Sequence, residues 1–369
     1  MRLAVFALGA LAACSGPQRV RAPVPTCAAV THPGVTSRSL TWNGSGWGAV
    51  VPDGATLFLR EFAVDGAVRG ERVELVEERA QPARVALAWG GASYLAAVAP
   101  HGDGATRVFR VTTGAPSGEA FAIDEPLAGD LAMVARPVPA RPAALFAEDH
   151  VGVTLRLVAA DGEPSASKRC PDDLHPRAIV AWRDGFRAVA TRRDPQSGDA
   201  RGVDLLALDD DCELVWRIRV WDGDVNGRAH SVAADEQGVV AAFGDREGGA
   251  WLASVDHGGA IRVRATRIER HARDPQVFLQ TAADGRRLGI QVVAVRSIET
   301  GDRLALWRFG PDALLRDVRE LAASPAIELL SSAPDPWGGG VVGYAREETT
   351  HGSARTGAGR YGFFTRVCP

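Results

Sequence analysis

The residues of this 369-residue chain whose types and spacing could do chemistry are one acidic loop, eight histidines with the arginines beside them, and five cysteines. The loop, "DGDVNG" from Asp222 to Gly227, offers oxygen ligands at alternate positions (Asp222, Asp224, Asn226) and a glycine at the sixth. That is the first half of a calcium loop. Its ninth and twelfth positions are His230 and Ala233, so the later carboxylate is absent and Asp235 comes two residues late. Asp-Gly and Asn-Gly also form ordinary turns. Calcium is thus the one cofactor the sequence suggests, set against a plain solvated loop. No HExxH, GxSxG or P-loop pattern occurs. Two GxGxxG matches, at Gly338-Gly340-Gly343 and Gly357-Gly359-Gly362, do not open a helix within a βαβ unit and so cradle no phosphate.

The elements that must position these residues follow from a repeat. Pro33, Pro82, Pro126, Pro176, Pro275 and Pro325 recur at intervals of 49, 44, 50, 99 and 50 residues, and the 99 holds a unit whose marker falls near Ala229-His230 without a proline. Each unit reads as short apolar strands separated by Gly/Asp turns, as in "AWGGASYLAAVAPHGDGATRVFRVTTGAPSGEAFAI". Seven units of 40–50 residues with four strands each predict an all-β fold, a seven-bladed β-propeller. A pair of β-sandwiches is the alternative, but sandwiches need no sustained period. After Pro325 only three strands remain, so residues 23–31 are expected to supply the fourth strand of the last blade and close the ring.

Four-stranded blades sort the histidines. Loops entering the first strand and loops joining the second to the third emerge on one face, here called the loop face. Turns joining first to second and third to fourth strands emerge on the other, the turn face. His32, His175, His230 and His271 are expected in entering loops; His101, His150 and His351 in the second kind of loop; His257 alone in a turn. Arg84, Arg177 and Arg273 enter beside them. Long polar loops on a rigid scaffold are where propellers bind. The expected ligand-binding set at the channel mouth is therefore His32, Arg84, His175, Arg177, His230 and Arg273. Few carboxylates join them, Asp130 and Glu328 being the nearest, which favours binding over catalysis and implies no catalytic residue. The other class of function is an exported hydrolase or lyase acting on a glycan or lactone at the central channel. Trp42, Trp89 and Trp182 share one repeat position and read as packing. Asp209-Asp210-Asp211 reads as a tight turn without chemistry.

The cysteines speak to compartment. Leu3 to Ala13 are apolar or small after Met1-Arg2, too short a run to span a bilayer and suited to an export signal. Its end, Leu11-Ala12-Ala13-Cys14, resembles the lipobox of bacterial lipoproteins. That resemblance implies cleavage after residue 13 and lipidation of Cys14; the proline-bearing 14–25 reads as a tether, and the repeat as one propeller domain over 26–369. With Ser15 rather than Asp after the cysteine, the resemblance implies an outer-membrane or cell-surface destination. The remaining Cys27, Cys170, Cys212 and Cys368 are even in number and lack CxxC spacing, which favours two disulfides over a metal site. Cys27 and Cys368 fall on adjacent strands of the closing blade and are expected to bridge. Cys170 by default pairs with Cys212, in a turn of the next blade.

The repeat resembles the propeller lipoproteins of myxobacteria in its turn glycines, Trp and "DG" positions, a likeness that implies fold and export but no catalytic residue. Net charge, −3 for the chain, is too small to call for nucleic acid. The expected partners are a membrane through Cys14 and a protein, glycan or envelope component, with the chain itself a monomer.

Overall fold

The structure, a computed structural model, describes residues 31–33, 39–53, 56–77, 84–99, 105–112, 119–126, 131–136, 142–148, 152–159, 161–171, 176–183, 185–193, 200–282, 284–336, 338–348 and 359–368. Among these there are strands and no α-helix, and so no helix long and apolar enough to cross a membrane. After β1 (Thr31–Pro33), blade 1 comprises β2 (Ser39–Trp42), β3 (Gly46–Asp53), β4 (Thr56–Ala63) and β5 (Val68–Glu77). Blade 2 comprises β6 (Arg84–Trp89), β7 (Ser93–Ala99), β8 (Ala105–Thr112) and β9 (Glu119–Pro126). Blade 3 comprises β10 (Leu131–Val134), β11 (Ala143–Glu148), β12 (Val153–Val158) and a two-residue β13 (Lys168–Arg169). Blade 4 is β14 (Pro176–Trp182), β15 (Gly185–Arg193), β16 (Ala200–Asp209) and the first part of β17 (Leu214–Asp235). The second part of β17 opens blade 5, which continues through β18 (Gly238–Asp245), β19 (Ala250–Val255) and β20 (Ile261–Glu269). Blade 6 is β21 (Ala272–Thr281), β22 (Arg287–Ile298), β23 (Gly301–Phe309) and β24 (Leu315–Ser324); blade 7 is β25 (Ile327–Pro334), β26 (Gly340–Glu348) and β27 (Gly359–Val367).

Seven blades close into a ring because both faces of each blade are apolar. In β7 all seven residues are buried. Alternate side chains go opposite ways: Tyr94, Ala96 and Val98 join the core shared with blade 1, and Leu95 and Ala97 the core shared with blade 3. The buried side chains fall into seven such cores, one for each pair of neighbouring blades, and the last joins blade 1 (Leu40, Trp47, Ala49) to blade 7 (Ala333, Val341). One close approach needs a glycine. A Cβ on Gly48 would meet the Tyr94 ring at 2.2 Å. Seated there, the fully buried Tyr94 donates its hydroxyl to Glu61 (2.8 Å) and accepts from Asn43 Nδ2 (2.5 Å).

The seven-bladed architecture is as the sequence predicts, and closure by an N-terminal strand is too: β1 pairs antiparallel with β27 as the outermost strand of blade 7. Of the expected strand, residues 23–30 lie outside the described residues, and Thr31 is in it. The described strand runs Thr31–Pro33, so Pro33 lies in the closing strand instead of opening blade 1. A second difference concerns the missing proline. Nothing interrupts the backbone between blades 4 and 5, and the 22-residue β17 runs through both, merging their strands into one seven-stranded sheet.

Of the expected bridges, Cys170–Cys212 is present, joining blade 3 to the turn before β17 with a Cα–Cα distance of 5.1 Å. Cys368 is disulfide-bonded, while Cys27 and Cys14 lie outside the described residues. Mass mapping of a non-reduced digest is expected to recover Cys27 joined to Cys368; recovery of Cys14 joined to Cys368 would refute the pairing.

Candidate functional site

The first strands of all seven blades line a central channel of about 640 Å³. Its walls are largely apolar, with Leu87, Met133, Ile179 and Val277 among them. Polar groups gather on blades 5 to 7. The Ser231 hydroxyl accepts from the Val277 N–H (3.1 Å), and the Ser332 hydroxyl donates to the Gln276 amide oxygen (2.7 Å). First strands run from the loop face to the turn face, so the tryptophans that end them sit at the turn end of the channel, Trp42 against Trp47 and Trp182 stacked on His257 at 4.4 Å. His257 is thus in a turn of that face, as expected, its Nε2 2.6 Å from the Asp235 carbonyl. The tryptophans pack.

At the loop end, four of the six expected residues begin first strands: Arg84 in blade 2, Arg177 in blade 4, His230 in blade 5 and Arg273 in blade 6. Arg84 and Arg177 occupy one repeat position, each five residues before a strand-ending tryptophan (Trp89, Trp182). Their surroundings differ. Arg177 faces Glu148 of blade 3 (3.8 Å) and donates to the Thr191 hydroxyl (3.3 Å). Arg273 clamps Asp302 through both Nη atoms (3.3 and 2.7 Å) and donates to the Ile327 carbonyl of blade 7 (2.6 Å). Its guanidinium, with the Ile327 N–H and the Ser297 hydroxyl, holds the Asp302 carboxyl below its ordinary range against the opposing effect of burial. Arg84 has no such partner among the described residues, and its Nη1 is buried without a hydrogen bond.

His230 is 6% exposed, its ring beside Phe243 of the blade 4–5 core, and neither ring nitrogen has a partner. Burial, assisted by the positive charge of Arg177, drives its pKa down to about 3, so the imidazole is neutral at physiological pH. Asp274, next to Arg273, behaves in the opposite sense. Burial raises its carboxyl, Arg273 works against the rise, and Glu328 across the blade boundary adds to it.

One expected member does not join this set. His32 lies on β1, paired with Phe364, three strands out from the channel. The reason is that the closing strand includes His32: what reads as an entering loop is strand. His175 lies outside the described residues, as do His101, His150, His351 and Asp130. The calcium loop is likewise strand. Asp222, Asp224 and Asn226 fall within β17, Asp224 opposite Arg201 and Val225 opposite Asp245. Asp222 accepts from Arg219 (2.8 Å) and Asp224 lies 3.9 Å from Arg201. No group of three or more His, Cys, Asp or Glu side chains with metal-site geometry occurs among the described residues.

Sequence reasoning missed the ion pairs that build the ring. Buried Asp204 in blade 4 takes Arg192 (3.0 Å), Arg217 (2.5 Å) and Arg219, whose hydrogen bonds hold its carboxyl low despite burial. Buried Asp235 takes a bidentate Arg287 (2.7 Å twice) between blades 5 and 6. The Asp209–Cys212 turn, given no role above, links blade 4 to blade 3 three times: Asp210 with Arg136 (2.6 Å), Asp211 with Lys168, and Cys212 with Cys170. A turn aspartate followed by a paired cysteine was the available signal.

No family model matches the sequence, and no curated protein matches it. Solved structures do. The chain is similar to the Dos1 propeller, at 8% identity and a TM-score of 0.52 over 91% of this chain and 93% of that one. It is similar also to BBS1N in complex with ARL6DN, at 12% identity and a TM-score of 0.54 over 91% of this chain and 95% of that one. At such identities the likeness concerns the fold alone, and the fold is that of a β-propeller.

Proposed function

We propose that this chain is an exported, lipid-anchored propeller that holds an acidic group of a protein, glycan or other envelope component at the loop end of its channel, without catalysing a reaction. The observation that carries this reading is Arg84. Three guanidiniums open first strands, and two of them are committed to carboxylates of neighbouring strands, Glu148 and Asp302. The third, Arg84 at the start of the first strand of blade 2, keeps a buried Nη1 without a hydrogen bond. A guanidinium left without a carboxylate is costly unless something outside the chain supplies one. Propellers related only in fold serve as binding platforms, which is analogy and secondary to the site. Export and anchoring rest on the apolar run ending at Cys14 and on the presence of disulfides.

The test uses the full chain and its Arg84→Ala variant against immobilised acidic and neutral oligosaccharides and an envelope extract. The parent is expected to retain an acidic component, and the variant to retain it at least about tenfold less, the loss of one charge-assisted hydrogen bond. Thermal melts should agree within about 0.5 kcal/mol or favour the variant, because an unpaired group is being removed. Equal retention by both proteins, or turnover of the retained component, would overturn the proposal.

A further inference from the structure

The closing strand fixes which face of the ring meets the N-terminal segment. β27, a third strand, runs from the loop face to the turn face, and β1 is antiparallel to it, Thr31 opposite Thr365 and Pro33 opposite Phe363. β1 therefore starts at the turn face, beside Cys368. The chain that precedes Thr31 joins the ring there. Cys14 is seventeen residues upstream, a reach of at most about 60 Å.

The same face carries exposed aliphatic side chains. Val68, Leu214, Val215, Ile261, Leu314 and Leu315, from 42% to 64% exposed, all stand where a third-to-fourth-strand turn leads into a fourth strand. Five of them lie on blades 4, 5 and 6, an arc that ends next to blade 7, where the N-terminal segment attaches. Single exposed aliphatics are ordinary, but a rim of them on one side of a ring marks an interaction surface. Its exposed arginines are paired with acids of the same face. Arg262 pairs with Asp256 (3.1 Å), Arg316 with Asp312 (3.6 Å), Arg286 with Asp284 (4.0 Å) and Arg183 with Glu236.

We infer that the turn face of blades 4 to 6 rests on the bilayer that anchors the chain, its aliphatic rim at the boundary between headgroups and acyl chains, with the loop face held outward toward its partner. The inference rests on the lipid-anchored reading of Cys14. Aliphatic tips gain by leaving water at that boundary, and a covalent anchor at the same face keeps them there at high local concentration.

Leu315 (53% exposed, turn face) and Ile298 (40% exposed, at the loop end of β22) are matched reporters. Leu315→Cys and Ile298→Cys are made in the lipidated full chain, and a membrane-impermeant maleimide is applied to inside-out and right-side-out vesicles. On the side that labels Ile298→Cys, Leu315→Cys is expected to label at least about fivefold more slowly, with detergent abolishing the difference. Equal labelling before detergent overturns the inference, as does protection that survives detergent, which assigns the face to a bound protein. Cys14→Ser separates this from the reading beneath it. If that variant stays in membranes, the anchor reading fails whatever the labelling. If it is released while the two reporters label equally in the parent, the anchor stands and the facing does not.

Discussion

Acidification from pH 7 to pH 4.5 is expected to cost the protein about 3 kcal/mol through His230 alone, and the His230→Leu variant should be spared that loss. The folded pKa of about 3 lies well below the ordinary 6.5 because burial disfavours the imidazolium. Between pH 6.5 and pH 3 the unfolded chain therefore binds a proton that the folded ring refuses. Stability rises with pH across that window and is complete above it. Asp274, raised by burial, works in the opposite sense and gains stability as pH falls through its folded pKa. Asp204 and Asp302, both held below 3.8, contribute stability that is present above that value and is lost only as pH falls through their folded pKa values. At pH 4.5 the imidazole is thus the larger of the two effects. Urea unfolding of parent and variant at pH 7 and pH 4.5 measures the difference directly. If both proteins lose the same stability on acidification, the histidine is not neutral and buried as described. A gain at pH 7 in the variant is also expected, because leucine leaves no ring nitrogens without partners in the core.

What the sequence could reveal follows from how local each determinant is. Blade number was legible because each entering segment repeats the same turn chemistry, and because apolar runs such as "SYLAAVA" encode a strand buried on both faces. The one unit without its proline is also the one where the backbone does not break, so the absent marker had a structural meaning: β17 passes from blade 4 into blade 5. That continuity is why the acidic stretch at Asp222 reads as a loop and folds as strand. The mouth of the channel was legible in position but not in partnership. Arg84 and Arg177 share a repeat position, yet only Arg177 meets a carboxylate, and Glu148 comes from another blade. Arg273 and Asp302 are twenty-nine residues apart, and Arg136 and Asp210 seventy-four. Pairs of that separation are set by ring geometry, which no local pattern carries.

Removing the Cys170–Cys212 bridge is expected to lower stability by roughly 4 kcal/mol, the chain-entropy value for a loop of this size, in the Cys170→Ser, Cys212→Ser double variant. The bridge spans 42 residues and leaves blade 3 through its weakest part. The outer strand of that blade has two residues, pairing only Thr154 with Arg169 and Leu155 with Lys168, where the fourth strands of blades 1 and 6 have ten. Beyond that pair the edge is held by the Val158–Pro164 bridge and by the Ser165 and Cys170 N–H groups on the Leu157 and Val153 carbonyls (2.8 and 2.9 Å), and the Asp209–Cys212 turn of blade 4 adds to it. Besides the disulfide, it places Asp210 against Arg136, a guanidinium whose side chain is 3% exposed and which also lies over the Phe186 ring at 4.8 Å. For a ring of this length, unfolding entropy of about 2 cal/mol/K per residue converts the loss to roughly 5 °C in Tm. The location of the damage is the sharper readout. Amide exchange in the double variant should rise first in β11 and β12, which depend on the staple, while β18 and β22, whose blades have complete outer strands, keep their protection. A uniform rise across all seven blades would mean that the bridge acts on the unfolded chain alone and that blade 3 stands without it.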